Sequence, residues 1–118
     1  MRAELMHEAS IAQSLLCIVQ QSAAKTNAEK ITRIEVSIGR LNAVEPELLS
    51  SCFEFIAEGT VCEDAELVIL VIPISVRCNE CGEISTISSY RFRCASCTGN
   101  ALSVISGREL KVERIQAR

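Results

Sequence analysis

The sequence predicts an α+β fold: a small three-stranded sheet with two helices on one face, plus an inserted Cys₄ zinc-ribbon-like module. Three observations predict it. Two segments carry apolar residues at helical spacing. Three others alternate, or run apolar, at strand spacing. Two C-x-x-C pairs stand between the last two of those strands. The 118 residues make one domain, or a small domain with an appended module. Apolar residues are 48% of the chain and aromatics only 3%, so the core is aliphatic.

Residues 1–7 show no pattern. Over 8–26, Ile11, Leu15, Ile18 and Val19 recur at helical spacing. Ala12 and Leu16 widen the stripe, and Gln13, Ser14, Gln20 and Gln21 cover the far side. Asn27 tolerates the left-handed cap that ends the helix. Over 31–38 the period drops to two. Ile34, Val36 and Ile38 face one way and Arg33, Glu35 and Ser37 the other, which suits a sheet covered on one face. Gly39 breaks this strand. A second helix spans 46–58, with Pro46 in its first turn and Glu45 and Glu47 at its positive end. Leu48, Leu49, Cys52, Phe53 and Ile56 form its buried face, and Gly59 stops it.

The second strand, 66–77, enters the module directly. Its 67–72 run is apolar on both faces, as in a central strand. Pro73 cannot donate to a ladder, so an open edge or a bulge is expected there. After the module, 100–107 is a loop or short arm. A third strand covers 109–115, with Leu110 and Val112 inward and Glu109, Lys111 and Glu113 outward. The expected domains are 1–77 with 107–118, and a metal module over 78–106 hung from two chain crossings.

The module is read from Cys78-Asn79-Glu80-Cys81 and Cys94-Ala95-Ser96-Cys97, twelve residues apart. A tetrahedral zinc with Zn–S of about 2.3 Å needs sulfurs roughly 3.7 Å apart, and a tight C-x-x-C turn supplies that. Two such turns close the site, so the expected role of Zn²⁺ is structural. Gly82 provides the positive φ that finishes the first turn. Arg77, Arg91 and Arg93 are placed to offset the net negative charge of four thiolates on zinc. Residues 84–87 and 90–93 are expected as the two arms of a hairpin.

Composition excludes several classes. A net charge of −3 and a pI near 5.2 argue against a nucleic-acid binder. No apolar signal region opens the sequence, and no run reaches the length of a membrane span. A reduced, cytoplasmic setting is expected, so the seven cysteines are not read as disulfides. Of the three outside the pairs, Cys17 and Cys52 are expected as buried small hydrophobes, and Cys62 has no assigned role. No G-x-S-x-G or phosphate loop is present, so no catalytic residue is named and an enzyme is the least favoured class. His7 is the sole histidine. A metal held there needs backbone nitrogens, a carboxylate such as Glu8, or a chain terminus. Planar nitrogen donors suit Ni(II) or Cu(II).

The run Met6-His7-Glu8-Ala9-Ser10-Ile11-Ala12-Gln13-Ser14-Leu15 resembles the opening of the hydrogenase-maturation nickel metallochaperones (HypA/HybF type). Ile34-Glu35-Val36 through Gly39-Arg40-Leu41 is similar to that family's first strand. Val76-Arg77-Cys78 and the second C-x-x-C are similar to its zinc module. The resemblance covers the chain from Met6. It implies that His7 binds Ni²⁺, with a backbone nitrogen at Met6 and the Glu8 carboxylate beside it. It implies that Cys78, Cys81, Cys94 and Cys97 hold zinc. The implied partners are a maturation GTPase and a hydrogenase large subunit, and urease maturation proteins for some members; nucleic acid and membrane are not among them. Two departures stand out. Ala9 replaces a common methionine, and residues 1–5 precede Met6. Where a terminal amine would bind nickel, the chain offers a peptide nitrogen, a far weaker donor until it loses its proton. A start at Met6, or a different nickel geometry, resolves this. The alternative reading is a zinc-ribbon adaptor that binds only protein; a thiol oxidoreductase is the third.

Overall fold

The computed structural model describes the backbone of residues 3–118 and side chains from His7 onward. Helix α1 (Ala3–Thr26) leads into β1 (Ile31–Gly39), a 3₁₀ turn (Arg40–Asn42) and α2 (Pro46–Ala57). Strands β2 (Glu66–Ile72), β3 (Ile74–Cys78), β4 (Ile84–Ile87), β5 (Leu102–Ser106) and β6 (Leu110–Ala117) follow. Among the described residues they form two three-stranded sheets, ordered β2-β1-β6 and β4-β3-β5. The chain divides into two compact units. The first takes in the chain through Val36, Val44–Leu70 and Lys111–Arg118; the second takes in Ser37–Ala43 and Val71–Leu110. That second unit is wider than the 78–106 span marked by the cysteines.

In the first unit, α1 starts before residue 8. Alanine, glutamate, leucine and methionine at 3–6 are strong helix formers, and nothing breaks the run into the periodic stretch. Ile11, Ala12, Leu15, Leu16, Val19 and Ala23 are buried. At 100° per residue this stripe centres between Ala12 and Leu15, so Ile18 falls at its margin and is 50% exposed. Cys17 points to the opposite side and is exposed, contrary to expectation. Asn27 closes the helix at φ 55. Helix α2 has Pro46 at its start and Glu45 as its cap, whose carboxylate accepts from the Glu47 N–H. It packs on α1 and buries Leu49, Phe53 and Ala57. Ile31, Ile34 and Val36 of β1 are buried with them, each contributing about 1.5–3 kcal/mol. Arg33 meets Glu35 at 3.0 Å and Glu66 of β2 at 2.7 Å, tying the two strands.

The central strand of this sheet is β1, not the 67–72 run. An all-apolar strand looks the same in sequence whether it is covered twice or lies at an uncovered edge. Here no residue of β2 is buried, and Leu70 is 60% exposed. The last strand is likewise an edge: Leu110, expected inward, is exposed, while Val112 and Ile115 are half-buried.

In the second unit, Pro73 splits the expected 66–77 strand and passes the chain from one sheet to the other. β3 then becomes the central strand. It pairs antiparallel with β4 (Ile74↔Ile87 to Arg77↔Ile84) and with β5 (Val76↔Val104, Cys78↔Leu102), with an irregularity between Ser75 and Val76. The partner of 84–87 is therefore β3, and 90–93 is not a strand. Tyr90 turns at φ 59 and donates its hydroxyl to the Arg40 carbonyl at 3.1 Å. Ile74, Val76 and Ile87 form a small core flanked by Leu41, Leu102 and Val104. Gly39 is needed for space: its φ of −71 is ordinary, yet an added Cβ would lie 2.0 Å from the Gly107 carbonyl. Across that contact the Gly39 N–H donates to Glu109 C=O, and the Leu41 N–H to Gly107 C=O. Among the described residues, no helix is long and apolar enough to cross a membrane.

Candidate metal centre

Two turns of one design carry the cysteines. In the first, the Gly82 N–H donates to the Cys78 carbonyl at 2.8 Å, and the Cys78 N–H to Glu83 C=O at 2.9 Å. In the second, the Thr98 N–H donates to the Cys94 carbonyl at 2.9 Å, and the Cys94 N–H to Gly99 C=O at 2.8 Å. Each turn has a left-handed residue at the same place, Gly82 at φ 79 and Thr98 at φ 59. Glycine advertises that conformation and threonine conceals it, so only the first was visible in sequence. Each turn also points an amide at its first sulfur: Cys81 N–H at Cys78 Sγ, 3.5 Å, and Ser96 N–H at Cys94 Sγ, 3.4 Å.

The sheet fixes where the turns sit. Cys78 ends β3, and Asn79 is held to the β5 side by its N–H to Ala101 C=O and by the Ser103 hydroxyl on its Oδ1. The second turn rests on β4, where the Ala95 N–H donates to the buried Ser85 Oγ at 3.3 Å. Sequence reading missed both anchors, because Ser85, Asn79 and Ser103 carry no spacing signal.

Cys78, Cys81, Cys94 and Cys97 thereby converge, with all four Sγ atoms within 4.8 Å of one another. Cys78 and Cys97 stand 3.6 Å apart, and Cys81 and Cys94 3.4 Å. Those spacings fit the roughly 3.7 Å edge of a tetrahedral zinc–sulfur site. Cys78 and Cys94 are buried, and Cys81 and Cys97 exposed. Their titration reflects crowding. Backbone N–H groups at Cys97 and Ser96 hold the Cys94 thiol down to about 7. At Cys81 a backbone hydrogen bond at Glu83 favours the thiolate, but the hydrogen bond with Cys94, burial and the other sulfurs push it up to about 12. Cys97 is raised too: its backbone hydrogen bond at Gly99 is outweighed by Cys78 and Cys94. One thiolate forms easily and its neighbours resist; a dication among them removes the conflict. Arg77, Arg91 and Arg93 are exposed.

The N-terminal residues are arranged differently. His7 is exposed on α1. Among the described residues it belongs to no cluster of three or more metal-binding side chains. Met6 continues the helix, and its side chain lies outside the described residues. Glu8, next to His7, is 1% exposed. Its Oε2 accepts from the Glu45 N–H at 2.7 Å, and its Oε1 is buried without a hydrogen-bond partner. The carboxylate thus meets the N-terminal end of α2, where the helix dipole favours a negative charge. In sequence Glu45 is only a helix-start residue; its link to Glu8 arises from the packing of α1 on α2. Of the remaining cysteines, Cys52 is half-buried, and Cys62 is buried, which pushes its thiol up.

Comparison with known proteins supplies the context. Residues 6–117 match the family model described as "Hydrogenase/urease nickel incorporation, metallochaperone, hypA". The chain is 37% identical over 111 residues to the hydrogenase maturation factor HypA of Aquifex aeolicus, covering 94% of this chain and 96% of that protein. It is 39% identical over 110 residues to HypA of Prosthecochloris aestuarii, covering 93% and 97%. Among solved structures, the solution structure of the Ni metallochaperone HypA from Helicobacter pylori superposes with a TM-score of 0.65 at 28% identity, covering 93% of this chain and 96% of that one. A second HypA solution structure gives 0.70 at 29% identity, covering 96% and 97%.

Proposed function

The chain belongs to the hydrogenase/urease nickel-incorporation metallochaperone family, and we propose that it binds Ni(II) at its N-terminal end and hands it on during hydrogenase maturation. The observation that supports this reading is the family match over residues 6–117, which opens at Met6-His7-Glu8, beside the exposure of His7 on α1. His7 supplies the anchoring imidazole. The backbone nitrogen at Met6 supplies a second donor. Glu8 serves first as a brace that fixes α1 on α2, and reaches the ion only by leaving the Glu45 amide. The four thiolates hold Zn(II), and that ion's part is to fix the second unit.

Moderate nickel affinity follows from the donors. A peptide nitrogen binds metal only after losing its proton, and Met6 lies in the first turn of α1. A site that must displace a proton to fill releases its cargo readily when the proton returns. The receiving partners, on the family's reading, are a maturation GTPase and a hydrogenase large subunit, with urease maturation proteins a further route. Calorimetric titration of Ni(II) into the zinc-loaded chain tests the site. We expect one site in the wild type, weakened at least about tenfold in His7→Ala. Equal affinity and stoichiometry in both would remove His7 from the site, and a wild type that binds no nickel would leave a zinc-ribbon adaptor.

A further inference from the structure

The second sheet buries one face only. Ile74, Val76, Ser85 and Ile87 are buried on its inner face. Side chains alternate along a strand, so Ser75, Arg77, Ile84, Thr86 and Ser103 stand on the outer one. The register sets Arg77 between Ile84 of β4 and Ser103 of β5, and Ser75 beside Thr86. Ile84 is 55% exposed. Ile105, the unpaired residue at the β5 irregularity, is 46% exposed and lies two residues from Ser103. An arginine thus occupies the middle of an open sheet face, with an exposed isoleucine on either flank.

That arginine has no partner of its own. Cys78 is buried on the inner face, so Arg77 points away from the sulfur cluster. The second unit as a whole holds Arg40, Arg77, Arg91, Arg93 and Arg108 against Glu80, Glu83 and Glu109. Among the described residues none of those five arginines is in an ion pair, whereas Arg33 of the first unit meets two carboxylates.

We propose that this outer face docks an acidic segment of a partner protein, with an aspartate or glutamate carboxylate on Arg77 and apolar neighbours on Ile84 and Ile105. The guanidinium fork takes a carboxylate through two parallel N–H···O bonds. Ser75 and Thr86 add hydroxyls beside it. The two isoleucines supply the apolar contact that excludes water from the pair. Charge favours protein over nucleic acid here. One guanidinium between aliphatic side chains is a point site, a phosphate backbone takes a basic stripe, and the chain as a whole is net −3. None of these residues is among the proposed nickel donors, so the face stands or falls apart from the nickel reading.

Fluorescence anisotropy on the full zinc-loaded chain tests this. The probe is a labelled short peptide of alternating leucine and glutamate, compared with its leucine–glutamine counterpart. The glutamate peptide should bind at least about tenfold tighter than the glutamine one, and added salt should weaken it. Arg77→Gln should raise its Kd at least about tenfold, since a hydrogen-bonded charge is lost. Thr86→Glu should do likewise by presenting a carboxylate of this chain to Arg77, and it spares the residue next to Cys78 should Arg77→Gln disturb zinc. Arg40→Gln is the control, because Arg40 adjoins Leu41, which packs on the inner-face core. It removes the same charge and should leave the Kd unchanged. No binding of the glutamate peptide at millimolar concentration would overturn the proposal. So would equal weakening by Arg40→Gln, or a single-stranded oligonucleotide that binds more tightly than the peptide and is lost in Thr86→Glu.

Discussion

The sulfur cluster and the His7 end are built by different means. At the cluster, two short turns and three strands aim four side chains of one type at one point, and each turn repeats the other's hydrogen bonds. At His7, one imidazole lies exposed on a helix, and the adjacent carboxylate is committed to a neighbouring helix. The first arrangement is suited to retain an ion. The second can hold one only by drawing on the backbone or on groups employed elsewhere. The difference teaches how one small chain could keep one metal and give up another: the number of preset donors decides which.

The contrast breaks most severely if the cluster proves dispensable. Cys78→Ala should lose zinc and unfold the second unit, since structural zinc is worth on the order of 10 kcal/mol in small zinc modules. Metal analysis and amide NMR read this, with signals from Val71–Leu110 collapsing while those of α1 persist. A zinc-replete, folded Cys78→Ala would show that the turns need no ion.

Glu8→Ala sharpens the other side. It strands a buried Glu45 N–H and opens a small cavity, which should cost about 2–3 kcal/mol in urea unfolding. Glu8→Gln keeps an acceptor oxygen and should cost less than about 1 kcal/mol. Unchanged stability in Glu8→Ala with lost nickel binding would recast Glu8 as a ligand rather than a brace.

The smallest effect tests the likeness of the two turns. Thr98→Gly places in the second turn the residue type the first already uses. Relief of the left-handed threonine and the added freedom of the unfolded chain oppose each other, so stability should change by less than about 1 kcal/mol with zinc retained. Zinc loss in this variant would mean that the hydroxyl, which donates to the Cys97 carbonyl at 2.6 Å, holds the turn.

Legibility followed the same divide. C-x-x-C spacing encodes a local turn, so the cluster could be read before the fold was known. Both helices could be read as well, because Ile11, Leu15 and Val19, and Leu49 and Phe53, repeat at helical spacing. What escaped depended on neighbours distant in sequence. The 67–72 run does not reveal whether a second layer covers it, so an all-apolar β2 reads as a central strand although it lies at an edge. Residues 90–93 could not reveal that β4 would pair back onto β3. Cys17 is exposed against expectation because it lies opposite the buried helix stripe, and the burial of Cys62, which follows α2 in a turn, carries no sequence signal. Glu8 beside His7 looked like a pair of donors, yet adjacent helical residues point about 100° apart and do not face one another.

X-ray absorption at the zinc and nickel edges of a single sample loaded with both metals tests the division of labour most directly. The account predicts zinc surrounded by four sulfurs at about 2.3 Å, and nickel surrounded by nitrogen and oxygen with a histidine signature and no sulfur. Sulfur in the nickel shell, or fewer than four sulfurs around zinc, would contradict it.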